Sequence, residues 1–295
     1  MSTSMSKKAS PTKRKKQSQW KDVWKRLRRN KLAMISLFVI IILVLSTAFA
    51  DYLAPYDYAA QNYSNRFAYP SAEHLMGTDN FGRDIFSRVL KGGQVSLLVS
   101  VSAVAMAMVI GCILGAMAAY FGGRCDTIIM RIMDIIMGIP GFLLAVSISA
   151  ALGSGIQNAS ISIAVGSIPQ FARIMNSAVL TVKDQEFVEA AITCGATHSR
   201  IIFRHIIPNT LSAIIVNATL RIANAILIIS SLSFIGLGVQ PPTPEWGSIL
   251  AAGREFIRDF YPIVIFPGLA IMITLIAFNL LGDGLRDAMD PRLKR

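Results

Sequence analysis

Charged residues are scarce in this chain of 295 residues, and their scarcity excludes an ordinary soluble domain. Only 16% of the residues are charged, whereas 53% are hydrophobic. A soluble domain of similar length carries about 25% charged residues. The composition therefore predicts a membrane protein.

Acidic residues are scarcer than basic ones: the chain has 17 Asp and Glu and 29 Lys and Arg, which gives a formal net charge of +12. Twelve of the basic residues precede residue 32, where Asp22 is the only acid. The excess charge therefore belongs to one tail, and the rest of the chain is nearly neutral. This distribution excludes a basic nucleic-acid-binding face.

Cysteine and histidine are also rare, at three residues each. Cys112, Cys125 and Cys194 are scattered and form no CxxC pair, which fits a reduced or membrane setting better than a disulfide scaffold. His198 and His205 lie too far apart, and without carboxylate partners, to form a metal site. We therefore expect no metal.

Enzymatic signatures are missing as well. No Gly-Lys dipeptide occurs, so the chain has no phosphate-binding loop for ATP. The apolar runs contain neither a nucleophile with a base nor a His/Asp metal cluster. We expect no catalytic residue and no cofactor bound by this chain.

Long apolar runs dominate what is present, and they predict an all-α membrane protein. A span needs about 20 mostly apolar residues, and its backbone must satisfy its own hydrogen bonds. The run over 32–50 has nineteen residues and no charge. We predict six transmembrane helices, over 32–50, 94–119, 132–152, 157–179, 209–236 and 260–282.

The basic tail sets the predicted orientation, because basic flanks stay in the cytoplasm. Residues 1–31 then form a cytoplasmic tail, and six crossings return 283–295 to the cytoplasm. Residues 51–93 form an extracytoplasmic loop after the first helix. Residues 94–282 form a five-helix core whose loop at 183–208 faces the cytoplasm.

The loop at 183–208 has the pattern of a helical hairpin. Asp184 is expected to cap a helix that begins at Gln185, and Gly195 to end it in a left-handed conformation. Thr197 is expected to cap a second helix, which gives way to the fifth span at Pro208. Two interpretations stay open: a hairpin that only packs on the bundle, or a knob that a cytoplasmic partner grips.

Polar residues inside the fifth predicted span form a stripe: Asn217, Arg221 and Asn224 recur at i, i+4 and i+7. An intramembrane cation normally faces protein or a wet cavity. The stripe either makes hydrogen bonds between helices or lines a translocation path, where Arg221 meets a peptide carboxylate.

Two further segments lie outside the predicted spans. Charges and glycines from Thr78 to Asp84 predict a folded outer loop with internal ion pairs. This loop either has only a structural role or forms a rim that receives an extracytoplasmic binding protein.

In residues 20–31, Trp20, Trp24 and Leu27 recur at 0, +4 and +7 among basic groups. This spacing predicts an interfacial helix that lies on anionic membrane lipids.

Three motifs resemble those of known permeases. Glu189-Ala190-Ala191, three residues, Gly195 and then "HIIP" resemble the EAA motif of ABC-importer permeases, with His at the usual first Ile position and Ile at the usual Leu position. "HLMGTDNFGRDIFSRVLKGGQVSL" (74–97) and "SLSFIGLGVQPPTPEWG" (231–247) resemble the dipeptide/oligopeptide/nickel permease family. Members of that family often have a small residue near Arg221 and an acidic one where Ile229 stands.

This resemblance implies the type I ABC importer permease fold, with six transmembrane helices and both termini cytoplasmic, in the bacterial plasma (inner) membrane. It implies that Glu189, Ala190, Ala191, Gly195 and Pro208 couple the chain to cytoplasmic ATPases. The implied partners are two ATPase subunits, which bind ATP and Mg, a second homologous permease, and an extracytoplasmic substrate-binding protein.

The implied cargo is di- or oligopeptides, nickel or a related small solute. The alternative is a stand-alone secondary transporter, a class that often carries internal repeats and intramembrane acids. No clear repeat and no central carboxylate is found in the predicted spans.

Overall fold

The computed structural model describes residues 19–289, and within them secondary structure is helical, apart from an isolated bridge between Thr78 and Asp84. The helices, in chain order, are α1 Gln19–Leu27, α2 Lys31–Ala48, α3 Ala50–Leu53, α4 Ile85–Phe121, α5 Gly123–Met137, α6 Gly141–Leu152, α7 Ile156–Val182, α8 Glu186–Thr193, α9 His198–Arg200, α10 Ile207–Phe234, α11 Trp246–Gly253 and α12 Pro262–Met289. A π-helical segment, Ile201–Ile206, joins α9 to α10.

Four uninterrupted helical stretches within the described residues are long and apolar enough to cross a membrane. They are Lys31–Ala48, Ile85–Phe121, His198–Phe234 and Pro262–Met289. The pair formed by α5 and α6 brings the number to five if it is counted as one bent span. The all-helical prediction is confirmed, and α7 covers the fourth predicted span without reaching the apolarity of the other stretches.

The prediction of one helix over 132–152 is wrong. Helix α5 ends at Met137, α6 begins at Gly141, and the two helices differ in direction by 88°. Pro140 explains the break, because proline has no N–H to donate and disfavours helical geometry in the residue before it.

Helix α2 has the surface of a lipid-facing span. Its cap is Asn30, whose side-chain oxygen accepts a hydrogen bond from the Ala33 N–H at 3.2 Å. Apolar side chains such as Leu32 and Phe38 are exposed on it, and the Thr47 hydroxyl donates to the helix's own carbonyls. The hydroxyls of Ser36 and Ser46 are likewise bonded to carbonyls of this helix, so none of the three hydroxyls needs a partner elsewhere.

Helices α4 and α7 pack closely because glycines on α4 let the backbones touch. A Cβ atom on Gly111 would lie 2.6 Å from the Cβ of Phe171, and a Cβ atom on Gly115 would overlap the carbonyl oxygen of Ala172. Small residues four apart are a common way for helices to pack in a membrane, where the hydrophobic effect between helices is weak.

The segment before α4 is a folded loop stabilised by buried ion pairs, as the sequence predicts. Arg83 Nε lies 2.6 Å from Asp79 Oδ2, and His74 Nδ1 lies 3.0 Å from Asp84 Oδ1. Asp84 also accepts hydrogen bonds from the backbone N–H and the hydroxyl of Ser87, both at 2.7 Å, and so caps α4.

A buried carboxylate fixes the end of α10 that lies near α11. Glu245 is fully buried, and its Oε1 accepts hydrogen bonds from the hydroxyls of Ser96 on α4 (2.8 Å) and Ser230 on α10 (3.1 Å). The adjacent Trp246 donates its indole N–H to the Val89 carbonyl at 2.9 Å. This network joins α4, α10 and α11 at one point.

Candidate functional site

The first helix of the predicted hairpin is α8, and it begins one residue later than predicted. Asp184 does not cap it; the cap position is Gln185, whose side chain makes no capping hydrogen bond. The Gln185 N–H instead bonds to the Val182 carbonyl at 3.1 Å, because the last turn of α7 continues into this segment. Asp184 is thereby kept inside that turn.

The second part of the prediction, a left-handed glycine at the end of α8, is confirmed. Gly195 has φ +75°, and its N–H bonds to the Ile192 carbonyl at 2.9 Å. The Ala196 N–H bonds to the Ala191 carbonyl at 3.1 Å, which completes a Schellman motif. The Thr197 hydroxyl accepts from the Arg200 N–H at 3.4 Å, so Thr197 caps the next helix as predicted.

Helix α8 uses one side to pack on the bundle and leaves the other side open. Val188 is buried against the core, and Ala191 packs beside it. Glu189 and Ala190 are exposed, and the apolar side chain of Ile192 is 54% exposed. The hairpin therefore packs on the bundle with one side and exposes the other, and both interpretations of the sequence stay open.

The second half of the hairpin is continuous with the membrane-crossing helix. The chain passes from α9 through the π-helical segment into α10 without a break, and Pro208 occupies the first turn of α10. Proline has no N–H to donate inside this continuous helix, and the π-helical segment, which departs from regular α-helical hydrogen bonding, ends two residues before it. The hairpin and α10 are thus connected without an intervening loop.

A side-chain contact also ties the hairpin to the end of α4. The Tyr120 hydroxyl and His198 Nδ1 are 2.8 Å apart, and the Phe121 ring packs 5.8 Å from the His198 ring, centroid to centroid. Sequence reasoning did not find this pair, because no local pattern connects residues seventy-eight positions apart.

The predicted stripe on α10 lies on a face that the described chain covers only in part. Asn224 is exposed, and Asn217 and Arg221 are partly exposed. None of the three side chains makes a hydrogen bond to the rest of residues 19–289, and Arg221 Nε is buried without a partner. Hydrogen bonding between helices of this chain therefore does not account for the stripe.

The break between α5 and α6 lies beside the same face. Residues 138–142 are exposed. Phe142 lines a pocket of about 400 Å³ together with Leu227, Ser231 and Phe234 of α10. Non-helical backbone is tolerated within a membrane only against protein or water. A signal for this break was present in the sequence, in the Gly-Ile-Pro-Gly string at 138–141.

A metal centre is not part of this arrangement: within residues 19–289 no three His, Cys, Asp or Glu side chains come together as a metal site.

Comparison with known families gives two matches along the chain. Residues 87–295 match the family described as "Binding-protein-dependent transport system inner membrane component". Residues 18–70 match the "N-terminal TM domain of oligopeptide transport permease C".

Two relatives illustrate the similarity of the whole chain. The "Dipeptide transport system permease protein DppC" of Alkalihalophilus pseudofirmus is 47% identical over 277 residues, which cover 94% of this chain and 91% of that protein. The "Glutathione transport system permease protein GsiD" of Escherichia coli is 47% identical over 278 residues, 93% of this chain and 91% of that protein.

Among solved structures, a chain of the MetNI methionine ABC transporter in inward facing conformations superposes with a TM-score of 0.55. Its sequence identity is 19%, and the match covers 68% of this chain and 96% of that chain. This likeness concerns the fold alone.

Proposed function

The chain belongs to the family of binding-protein-dependent transport system inner membrane components, and from this premise we propose how it works as the permease subunit of an ATP-driven importer in the bacterial inner membrane. The family relationship carries the assignment, because the similarity to transport permeases extends over more than nine tenths of the chain.

The cargo we propose is a di- or oligopeptide or a closely related small solute. The two relatives are named for dipeptide and glutathione transport, and both solutes are short peptides with free carboxylates. Arg221 offers a cation without a partner in the described chain. An extracytoplasmic binding protein delivers the cargo. Arg221 then contacts the carboxylate of the cargo as the cargo crosses the membrane.

We propose that α8 is the docking surface for a cytoplasmic ATPase. Its exposed side carries Glu189 and Ala190, and the left-handed turn at Gly195 directs the chain back toward α10. Partner subunits bind ATP and Mg, and their motion reaches the bundle because α9, the π-helical segment and α10 form one continuous rod. The chain itself has no catalytic role in this scheme.

The partly covered face of α10 is the proposed translocation path, shared with a second, similar permease. A cation at the centre of a membrane helix costs at least about 2.5–3.5 kcal/mol if it faces lipid. Asn217, Arg221 and Asn224 avoid that cost if the second permease and the water-filled path cover them. The second permease and the water-filled path also cover the exposed backbone at the helix break, residues 138–140.

The topology we propose has six crossings with both termini in the cytoplasm. The crossings are α2, α4, the bent pair of α5 and α6, α7, the rod that includes α10, and α12. The basic residues before α2 favour a cytoplasmic start, and an even number of crossings returns the chain to the same side.

The test is affinity purification of the tagged chain from its native membrane in mild detergent, followed by mass spectrometry. We expect a P-loop ATPase and a second permease to co-purify, and the ATPase to be lost with Glu189→Lys. The control is Glu255→Lys, which makes the same charge change at an exposed residue near α12. If the wild-type chain elutes alone, or if both variants keep the ATPase, the docking proposal fails.

A further inference from the structure

Helix α1 is held in place by protein contacts at the end of α12. Leu27 is only 4% exposed and packs with Ala33 and Ala288. Gly284 permits this approach: a Cβ atom there would overlap the Cβ of Ala33 and lie 3.5 Å from Leu27 Cδ1. The corner between α1 and α2 is therefore clamped onto α12 in a fixed orientation.

This packing differs from the sequence-based expectation, in which Trp20, Trp24 and Leu27 form one lipid-facing stripe. Leu27 faces protein, because the end of α12 offers an apolar partner that the sequence pattern of α1 cannot reveal. Trp24 is 45% exposed, and the side chain of Trp20 lies outside the described part of the chain.

The open side of α1 and of residues 28–30, which follow it, is strongly basic. Lys21, Lys25, Arg28 and Arg29 are exposed, and the Arg28 guanidinium lies 5.6 Å from the centre of the Trp24 ring. The single acid in this part of the chain is the exposed Asp22. The combination of Trp with Lys and Arg is typical of the interface between lipid headgroups and hydrocarbon.

The chain also places this basic face at the level of the headgroups. Helix α2 follows after residues 28–30, which span about 10 Å at most when fully extended. From Leu32 onward α2 exposes apolar side chains, with Leu32 at 60% and Phe38 at 64%. The change from basic to apolar surface within this distance marks the membrane boundary beside α1.

We propose that the exposed face of α1 and of the segment after it, formed by Lys21, Trp24, Lys25, Arg28 and Arg29, is a docking surface for anionic phospholipid headgroups. Charge complementarity selects the anionic lipid, and continuity with the lipid-facing surface of α2 brings the headgroup within reach. Because α1 is packed against α12, a bound lipid stabilises the contacts between α1, α2 and α12. Its effect is therefore more than the attraction of a loose tail. The proposal depends neither on the cargo nor on ATPase docking.

The test uses the full-length chain with the subunits that co-purify with it, in nanodiscs of phosphatidylcholine with or without phosphatidylglycerol. We expect phosphatidylglycerol to raise the melting temperature of the wild type. Lys25→Gln/Arg28→Gln should abolish this shift and weaken the retention of phosphatidylglycerol about fivefold per charge removed, corresponding to about 1 kcal/mol each. The control, Arg124→Gln/Arg131→Gln, removes two exposed charges on α5 and should behave as wild type.

Equal melting temperatures of wild type and variant in pure phosphatidylcholine would show that the variant folds. For wild type alone, raising the salt concentration should reduce the shift, because salt screens exposed charges. The proposal is overturned if the two lipid mixtures stabilise the wild type equally, or if the α1 variant keeps its phosphatidylglycerol. It is also overturned if the variant loses a co-purifying protein while its lipid shift persists, since α1 would then dock a protein.

Discussion

Gly195 is a residue whose backbone conformation, and not its side chain, serves the proposed docking loop. A Cβ atom at this position would meet no other atom within 4 Å, so space does not require glycine. The requirement is φ +75°, which costs other L-residues roughly 1–2 kcal/mol. Asparagine tolerates this region better than alanine does.

We expect Gly195→Ala to loosen the hairpin and Gly195→Asn to loosen it less, because only the backbone conformation is penalised. Hydrogen exchange of residues 186–206 in the purified chain measures the effect, with residues 262–289 as internal reference. Exchange equal to wild type in both variants would mean that the left-handed turn does not stabilise the loop.

Arg221 is the residue at which cargo recognition can be tested most directly. If it meets a peptide carboxylate, Arg221→Ala should lower uptake of a peptide with a free C-terminus about tenfold or more, since a hydrogen bond to a charged group contributes about 1.5–3 kcal/mol. Uptake of the same peptide with an amidated C-terminus should change little. Arg221 is structural if the uptake of both peptides survives the substitution.

At the scale of helices, two kinds of polar residue must be distinguished. Hydroxyls such as those of Thr47, Ser167 and Thr274 donate to carbonyls of their own helix and need no further partner. Asn224 and Arg221 have no such bonds in the described chain. Only residues of the second kind indicate that a helix face is covered by another chain or by water.

The pairing of α4 with α7 leaves no room for one added methyl group at Gly115. We expect Gly115→Ala to destabilise the purified chain by about 1–3 kcal/mol, because the new Cβ overlaps the Ala172 carbonyl oxygen and the backbones must separate. Denaturant-induced unfolding measures this. Gly141→Ala is the matched control, since a Cβ there meets no atom within 4 Å, and equal stability of the two variants would contradict the packing argument.

At the scale of the whole molecule, the partly covered face of α10 and the apolar surface of α2 should differ in their access to water. In a chain with Cys112→Ala, Cys125→Ser and Cys194→Ser, we expect Asn224→Cys in the assembled transporter to react with a water-soluble maleimide. Leu45→Cys on α2 should not react, because its exposed side chain faces lipid. An unreactive Asn224→Cys, or a reactive Leu45→Cys, would argue against a water-filled path along α10.

Much of the helical architecture and of the docking loop is predictable from sequence. Backbone hydrogen bonds within a helix are local, so apolar runs predict α2, α4, α10 and α12. The turn at Gly195 is equally local, because only the residue type and its neighbours decide it. The break at 138–140 was missed because the apolar run continues through it.

By itself, the sequence determined the membrane class, the long apolar helices and the hairpin whose exposed surface is the proposed docking site, since each depends on composition or on contacts a few residues apart. Only the tertiary structure decided which polar groups are satisfied. Glu245 is bonded to Ser96 and Ser230, Leu27 is buried by α12, and Arg221 is left without a partner in the described chain. The physical reason is that burial and hydrogen bonding between distant residues depend on how helices pack, which no local pattern records.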